Sequence, residues 1–244
     1  MTAEVSASPT DPRALKLLHE GEIRPLGLLP RASNYTFLVE LSDGDLRGLG
    51  VYKPRRGEAP LWDFPDGTLC NREVAAYLLA LALGWPRVPP TVLRDGPHGE
   101  GSVQLFVEPA GGEHYFTLRE RCSDEFLPVA AFDVAANNAD RKSGHCLLAS
   151  DGTIWVVDHG VCFGREPKLR TVIWDFAGDP IPGPLLVDIE RVGGELREGT
   201  VRAELLELLS PAEIDAIAQR AEHLVRSGRF PHPGPDRAYP WPPV

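Results

Sequence analysis

Residues 132–160, FDVAANNADRKSGHCLLASDGTIWVVDHG, constrain this chain more than any other stretch. An apolar helical pattern gives way to a polar loop, and two short apolar runs then flank Asp151-Gly152. An Asp-Gly pair between strand-like residues is a strong hairpin signal, because a type I′ turn needs φ > 0 at both central positions. Centring the turn there puts Ser150 opposite Thr153, Ala149 opposite Ile154 and, at the open end, His145 opposite Asp158. Directly opposed residues of an antiparallel pair have Cβ atoms ~5 Å apart and share a face. The spacing therefore predicts that a histidine and an aspartate converge beside a loop carrying Asp140 and Arg141, an arrangement suited to a metal ion.

The 244 residues suffice for one large domain or two small lobes with a real core. A net charge of −10 argues against a nucleic-acid partner, which calls for a basic face. It leaves room for a small anionic ligand held by a local cation, and the lysines, Lys16, Lys53, Lys142 and Lys168, are few enough for position to matter. No apolar run approaches the ~18–20 residues that span a bilayer, so integral membrane association is not expected. Cys70, Cys122, Cys146 and Cys162 form no CxxC pair and read as free thiols, which with the lack of an apolar leader points to the cytoplasm.

From the N-terminus, residues 1–12 read as a frayed segment and ALKLLHEG as a short helix with Leu15, Leu17 and Leu18 available for one face. A strand, a turn at residues 30–34, a second strand at 35–41 and a third at 48–53 follow as an antiparallel meander. The turn residues Arg31, Ala32, Ser33 and Asn34 either present successive N–H groups to phosphate oxygens or form an ordinary hairpin turn. Lys53 shares a strand face with Val51, so it is expected to point towards something buried. Its acidic partner would be Glu73, in the first turn of a helix whose Val74, Tyr77, Leu78 and Leu81 form the buried stripe and which Gly84 ends. An acidic residue at that place also suits the helix dipole without any partner. A Gly-rich turn, DGPHGEG, precedes the buried run SVQLFVE, and Pro109-Ala110-Gly111-Gly112 marks a lobe boundary.

In the second half, Val129, Phe132, Asp133 and Ala136 share a helical face, where Asp133 reads as a structural hydrogen-bonder. Three more helical patterns close the chain before a Pro-rich tail that reads as extended over the surface. The organisation expected is thus a first lobe at 13–108, a connection at 109–113, a second lobe at 114–230 and the tail at 231–244.

Lys53, Glu73, Asp140, His145 and Asp158 occur in the chain order that phosphoryl transfer from ATP requires: a phosphate-binding cation, its holder, a base and metal ligands. On these residues the sequence resembles the protein-kinase-like superfamily, in its phosphatidylinositol 3-/4-kinase and HipA branch. The catalytic-loop pattern D-R-H-x-x-N has its spacing in Asp140-Arg141-Lys142-Ser143-Gly144-His145, and D-x-G matches Asp158-His159-Gly160. More narrowly, residues 21–229 look like an actinobacterial family similar to phosphatidylinositol 3- and 4-kinases. The resemblance implies an α+β, two-lobed fold with an antiparallel-sheet N-lobe bearing one helix and a mainly helical C-lobe. It also implies ATP and Mg²⁺ or Mn²⁺ as cofactors, and a protein or small-molecule acceptor. Carried over, Lys53 pairs with the α/β-phosphates and Glu73 orients it; Asp140 is the catalytic aspartate and Asp158 the principal metal ligand. Ser33 and Asn34 stand where a Gly-rich loop would be, and Phe106, Val107 and Glu108 where the hinge meets adenine. Lys142 replaces the family's histidine and is a candidate for the γ-phosphate. His145 replaces the asparagine of the second metal site, where an imidazole suits Mn²⁺ or Zn²⁺ better than Mg²⁺. The competing readings are a nucleotide-binding pseudokinase, an AMP-transferase on the same fold, and a metal-dependent hydrolase that leaves Lys53 and Glu73 without a role.

Overall fold

The computed structural model describes residues 8, 11–30, 34–235 and 237–244. The chain divides into two compact units, one running to Tyr77 and taking in Pro89–Val107, the other made of Leu78–Val88 and Glu108–Val244.

The first unit is built on a five-stranded antiparallel sheet in the order β1-β2-β3-β5-β4. Its strands are β1 (Glu22–Leu28), β2 (Phe37–Ser42), β3 (Arg47–Pro54), β4 (Thr91–Gly96) and β5 (Gly99–Leu105). Alternation puts Val39 and Leu41 of β2, Tyr52 of β3 and Val103 and Leu105 of β5 on one buried face, against Leu17 and Leu18 of α1 (Ala14–Glu20). The short helix buries Ala14 rather than Leu15, as the i, i+3, i+4 spacing from Ala14 requires. Most of the expected Gly-rich turn after β4 is strand: Gly99 has φ +96 and closes a tight turn, and Gly101 pairs with Pro54. A Cβ on Gly101 would lie 2.3 Å from the Lys53 carbonyl oxygen, so its glycine lets β5 approach β3 beside Lys53.

Helix α2 (Leu69–Leu83) ends, as expected, at Gly84, which has φ +85. Of the expected stripe, Val74 is buried and Tyr77 and Leu78 are half-buried, but Leu81 is not. Leu69, Cys70, Ala75, Ala76, Leu79 and Leu83 are buried, whereas Leu81 is 62% exposed. The apolar residues of α2 run nearly all round the helix, so spacing alone selects no single face.

The second unit is mainly helical, with α3 (Tyr115–Leu118), α4 (Ser123–Ala136), α5 (Gly183–Arg197), α6 (Thr200–Leu206) and α7 (Pro211–Ser227) and a small two-stranded ladder of β6 (Cys146–Leu148) and β7 (Ile154–Val156). Helix α7 starts on a capping box in which the Ser210 hydroxyl accepts from the Glu213 N–H and the Glu213 carboxylate accepts from the Ser210 N–H, with Pro211 at its first position. An antiparallel sheet with helices in one unit and a mainly helical second unit is the α+β architecture expected of a kinase-like chain. No helix among the described residues is long and apolar enough to cross a membrane.

Candidate functional site

In the first unit, β3 carries Lys53 and α2 carries Glu73, and the Lys53 Nζ donates to the Glu73 Oε1 at 2.5 Å. Glu73 is 3% exposed and Lys53 23%. The pairing follows the sequence expectation, and the group Lys53 points to is buried as expected; the place of Glu73 in its helix is not the expected one. Lys53 lies on the more exposed face of β3 with Leu49 and Val51, while Tyr52 faces the core. Glu73 is past the first turn of α2, where no acidic residue stands. The N-terminal amides of α2 are met instead by the Glu58 carboxylate, which accepts from Leu69 N–H at 3.1 Å and Cys70 N–H at 2.8 Å. The helix dipole therefore gives no account of Glu73. A carboxylate this buried needs a cation and good geometry to offset its desolvation, and Lys53 provides both.

Of the turn residues, Arg31, Ala32 and Ser33 lie outside the described residues. Asn34 uses its side-chain oxygen to accept from Ala59 N–H at 2.8 Å, tying the turn to the segment after β3. Phe106 continues the sheet, its N–H donating to the Leu49 carbonyl at 2.9 Å; Val107 is buried and Glu108 exposed.

In the second unit, the polar loop after α4 hangs on one buried ion pair. Asn137, at φ 49, ends the helix in the left-handed region. The Asn138 side-chain oxygen accepts from Asp140 N–H, and its amide donates to Asp133. Arg141 is fully buried, with Nε 3.1 Å from both Asp133 oxygens and Nη2 3.0 Å from Oδ1. Its Nη1 donates to the Val157 carbonyl at 2.9 Å and its Nη2 lies 2.7 Å from His159 Nε2. The Thr171 hydroxyl completes the set by donating to Asp133 Oδ2. Burial is the largest single influence and pulls the guanidinium down, but the charge and hydrogen bonds of Asp133, with the nearby Cys146 and Cys162, together outweigh it, and its pKa stands above the ordinary value. One arginine thus fastens α4, the Asp140 loop and the residues on either side of Asp158. Asp133 is the structural hydrogen-bonder its place on an apolar helix face predicts. His159 and Thr171 were not singled out in the sequence, because neither falls in a periodic pattern.

The hairpin register is one residue away from expectation. Cys146 pairs with Val156, Leu147 with Trp155 and Leu148 with Ile154. Ala149 therefore faces Thr153 across the three-residue loop Ser150-Asp151-Gly152, and only Gly152, at φ +83, adopts positive φ. This is the three-residue connection, a type I turn followed by a left-handed glycine. A one-residue slip should send His145 and Asp158 to opposite faces. They still meet, with His145 Nε2 3.2 Å from Asp158 Oδ2, because neither belongs to the ladder. His145 ends a single 3₁₀ turn, and Asp158 sits in the left-handed region at φ 62. A non-glycine there costs about 1–3 kcal/mol, a strain that concentrates at functional sites.

The His145 Nδ1 accepts from Lys142 N–H at 3.3 Å, so a neutral ring carries its proton on Nε2 and donates it to Asp158. Lys142 Nζ is 3.2 Å from Asp140 Oδ2. Burial pushes the Asp140 carboxyl above its usual value; Lys142 opposes the rise and Asp158 adds to it. Asp140, Lys142, His145 and Asp158 are therefore one electrostatic cluster. Among the described residues no three His, Cys, Asp or Glu side chains form a ready metal cage.

No family model matches the chain. It is 41% identical over 266 residues to protein Rv2133c of Mycobacterium tuberculosis, an alignment covering 93% of this chain and 94% of that protein. Phosphatidylinositol 4-kinase gamma 4 of Oryza sativa is 32% identical over 42% of this chain, and phosphatidylinositol 4-kinase gamma 3 of Arabidopsis thaliana 29% identical over 42%. Those alignments span only 22% and 24% of the two plant proteins. Among solved structures, the Helicobacter pylori proinflammatory kinase CtkA aligns over 87% of this chain and 94% of its own, with TM-score 0.48 and 13% identity. The chain belongs to the family of Mycobacterium tuberculosis protein Rv2133c, a kinase-like family resembling the phosphatidylinositol 3- and 4-kinases.

Proposed function

We propose that the chain is an ATP-dependent, metal-dependent phosphotransferase acting on a protein or small-molecule acceptor. The observation that carries this reading is the ion pair of Lys53 with the buried Glu73, the arrangement by which a kinase-like chain holds a lysine for phosphate oxygens. In this reading Lys53 binds the α/β-phosphates, Glu73 orients it, and Ser33 and Asn34 flank the phosphates. Phe106, Val107 and Glu108 meet the adenine, and Lys142 steadies the γ-phosphate. Asp140 takes the proton of the acceptor hydroxyl as its oxygen bonds to the γ-phosphorus and the bond to ADP breaks.

Asp158 and its neighbours fit a divalent cation. Mg²⁺ is commonly held by one or two carboxylates, with substrate phosphates and water completing the shell, and a half-exposed carboxylate outside a closed cage meets that requirement. Such an ion would neutralise charge on the transferring phosphoryl group. His145 serves it from behind Asp158: with its proton on Nε2, the ring fixes the carboxylate rather than ligating metal. We expect His145→Ala to weaken Mn²⁺ binding, followed by electron paramagnetic resonance, about 10–100-fold with the Mg²⁺/Mn²⁺ preference unchanged. A change of preference would instead make the imidazole a direct ligand.

Incubation with γ- and α-labelled ATP tests the function. Label from the γ position supports phosphotransfer, and label from the α position supports AMP transfer. Nucleotide-dependent thermal stabilisation without transfer supports a pseudokinase. Lys53→Met is expected to reduce that stabilisation by at least half. An unchanged shift would remove Lys53 from the nucleotide.

A further inference from the structure

The Pro-rich end of the chain lies along the Asp140 loop. The Ala238 carbonyl accepts from Thr171 N–H and from the Trp174 indole N–H, both at 3.1 Å. The Arg237 carbonyl accepts from Arg170 Nε at 3.3 Å, and the Pro243 carbonyl from Ser143 N–H at 2.9 Å. Every one of these bonds runs the same way: the body donates and the main chain of the tail accepts. Pro240, Pro242 and Pro243 carry no N–H, so at these three positions the main chain can only accept. Side-chain identity hardly enters, which is how an extended peptide is held through its backbone.

Two further features separate this contact from ordinary core packing. Trp241 is 76% exposed and Tyr239 52%, so the tail leaves its largest apolar groups in solvent and buries Pro240 instead. Few apolar contacts mark the segments that open most readily. The charge of Arg237 also reaches the Asp140 carboxyl, whose pKa it draws down against burial. The donors Ser143 and Thr171 belong to the loop that carries Asp140 and to the segment bonded to Asp133, so the tail lies next to the residue assigned as the base.

We propose that this strip of donors is the acceptor channel, that the acceptor is an extended polypeptide, and that residues 237–243 occupy the channel in cis until such a segment displaces them. This rests on the reading of Asp140 as the catalytic aspartate, and it narrows the acceptor from any hydroxyl compound to a protein.

The test uses the full-length chain and a Pro240→Gly/Pro242→Gly/Pro243→Gly variant, whose looser tail should vacate the strip. A fluorescent peptide of residues 235–244 is expected to bind the variant at least ten times more tightly than wild type. The Ser143 and Thr171 amides should exchange with solvent at least tenfold faster in the variant, while amides in α7 exchange unchanged. Equal peptide binding to both proteins, or unchanged exchange at those two amides, would overturn the occupancy. Neither readout needs phosphate transfer, so a failure here is distinct from a failure of the phosphotransferase reading, which the labelled-ATP experiment decides. For the acceptor, γ-label should enter a library of extended Ser-, Thr- and Tyr-containing peptides several-fold faster with the variant. Equal rates would sink the restraint in cis.

Discussion

Asp133→Ala will lower the stability of the folded chain by about 3–5 kcal/mol, the cost of removing one partner from a buried ion pair. For a chain of this size that corresponds to a fall of about 10 °C in Tm. The reason lies in what the substitution leaves behind. Asp133 accepts from Arg141 through Nε and Nη2, from the Asn138 amide and from the Thr171 hydroxyl. Without it, a fully buried guanidinium keeps the Val157 carbonyl and His159 Nε2 but no counter-charge. Urea unfolding measures the loss. The double variant Asp133→Leu/Arg141→Met should recover only part of it: the uncompensated charge is gone, but the Asn138 amide, the Thr171 hydroxyl and the Val157 carbonyl lose their bonds to the pair. A loss below about 1 kcal/mol for Asp133→Ala would mean that solvent reaches the guanidinium, and the pin would have to be abandoned.

Side-chain chemistry with a steric or electrostatic consequence was the part legible in the sequence. The meander of β1 to β3 announced itself by its strand-and-turn pattern, and Asp133 by a charge on an apolar helix face. Glu73 was legible as a partner for Lys53, but its place in the helix was not, since the amides of α2 are satisfied by Glu58 from a separate segment. The hairpin register was hidden for a simpler reason. Two- and three-residue loops both use Asp-Gly, and they differ in the backbone of Asp151, which no side chain records. The apolar surplus of α2 hid the exposure of Leu81. The tail was hardest of all. Its prolines told of an extended chain, but its bonds are made by carbonyl oxygens, which every residue has.

Asp140→Asn should abolish most of the transfer while sparing the nucleotide. The carboxamide keeps the size of the side chain and removes the charge, so the loop that Asn138 and Arg141 hold is not disturbed. Loss of a positioned general base costs typically 10²–10⁴-fold in rate. We expect kcat for γ-phosphate transfer to fall in that range and the affinity for ATP to stay within about threefold, since the interaction removed belongs to the transition state rather than to bound nucleotide. Lys142, 3.2 Å from Asp140, gives the control. If Asp140 works mainly by holding Lys142, then Lys142→Ala will match Asp140→Asn in rate and the double variant will be no worse than either. If Asp140 takes the acceptor proton itself, Asp140→Asn will be far the more severe, and adding Lys142→Ala will lower the rate further. Retention of more than about a third of the wild-type rate in Asp140→Asn would leave the aspartate with no part in proton transfer, because an amide at that place cannot accept the proton.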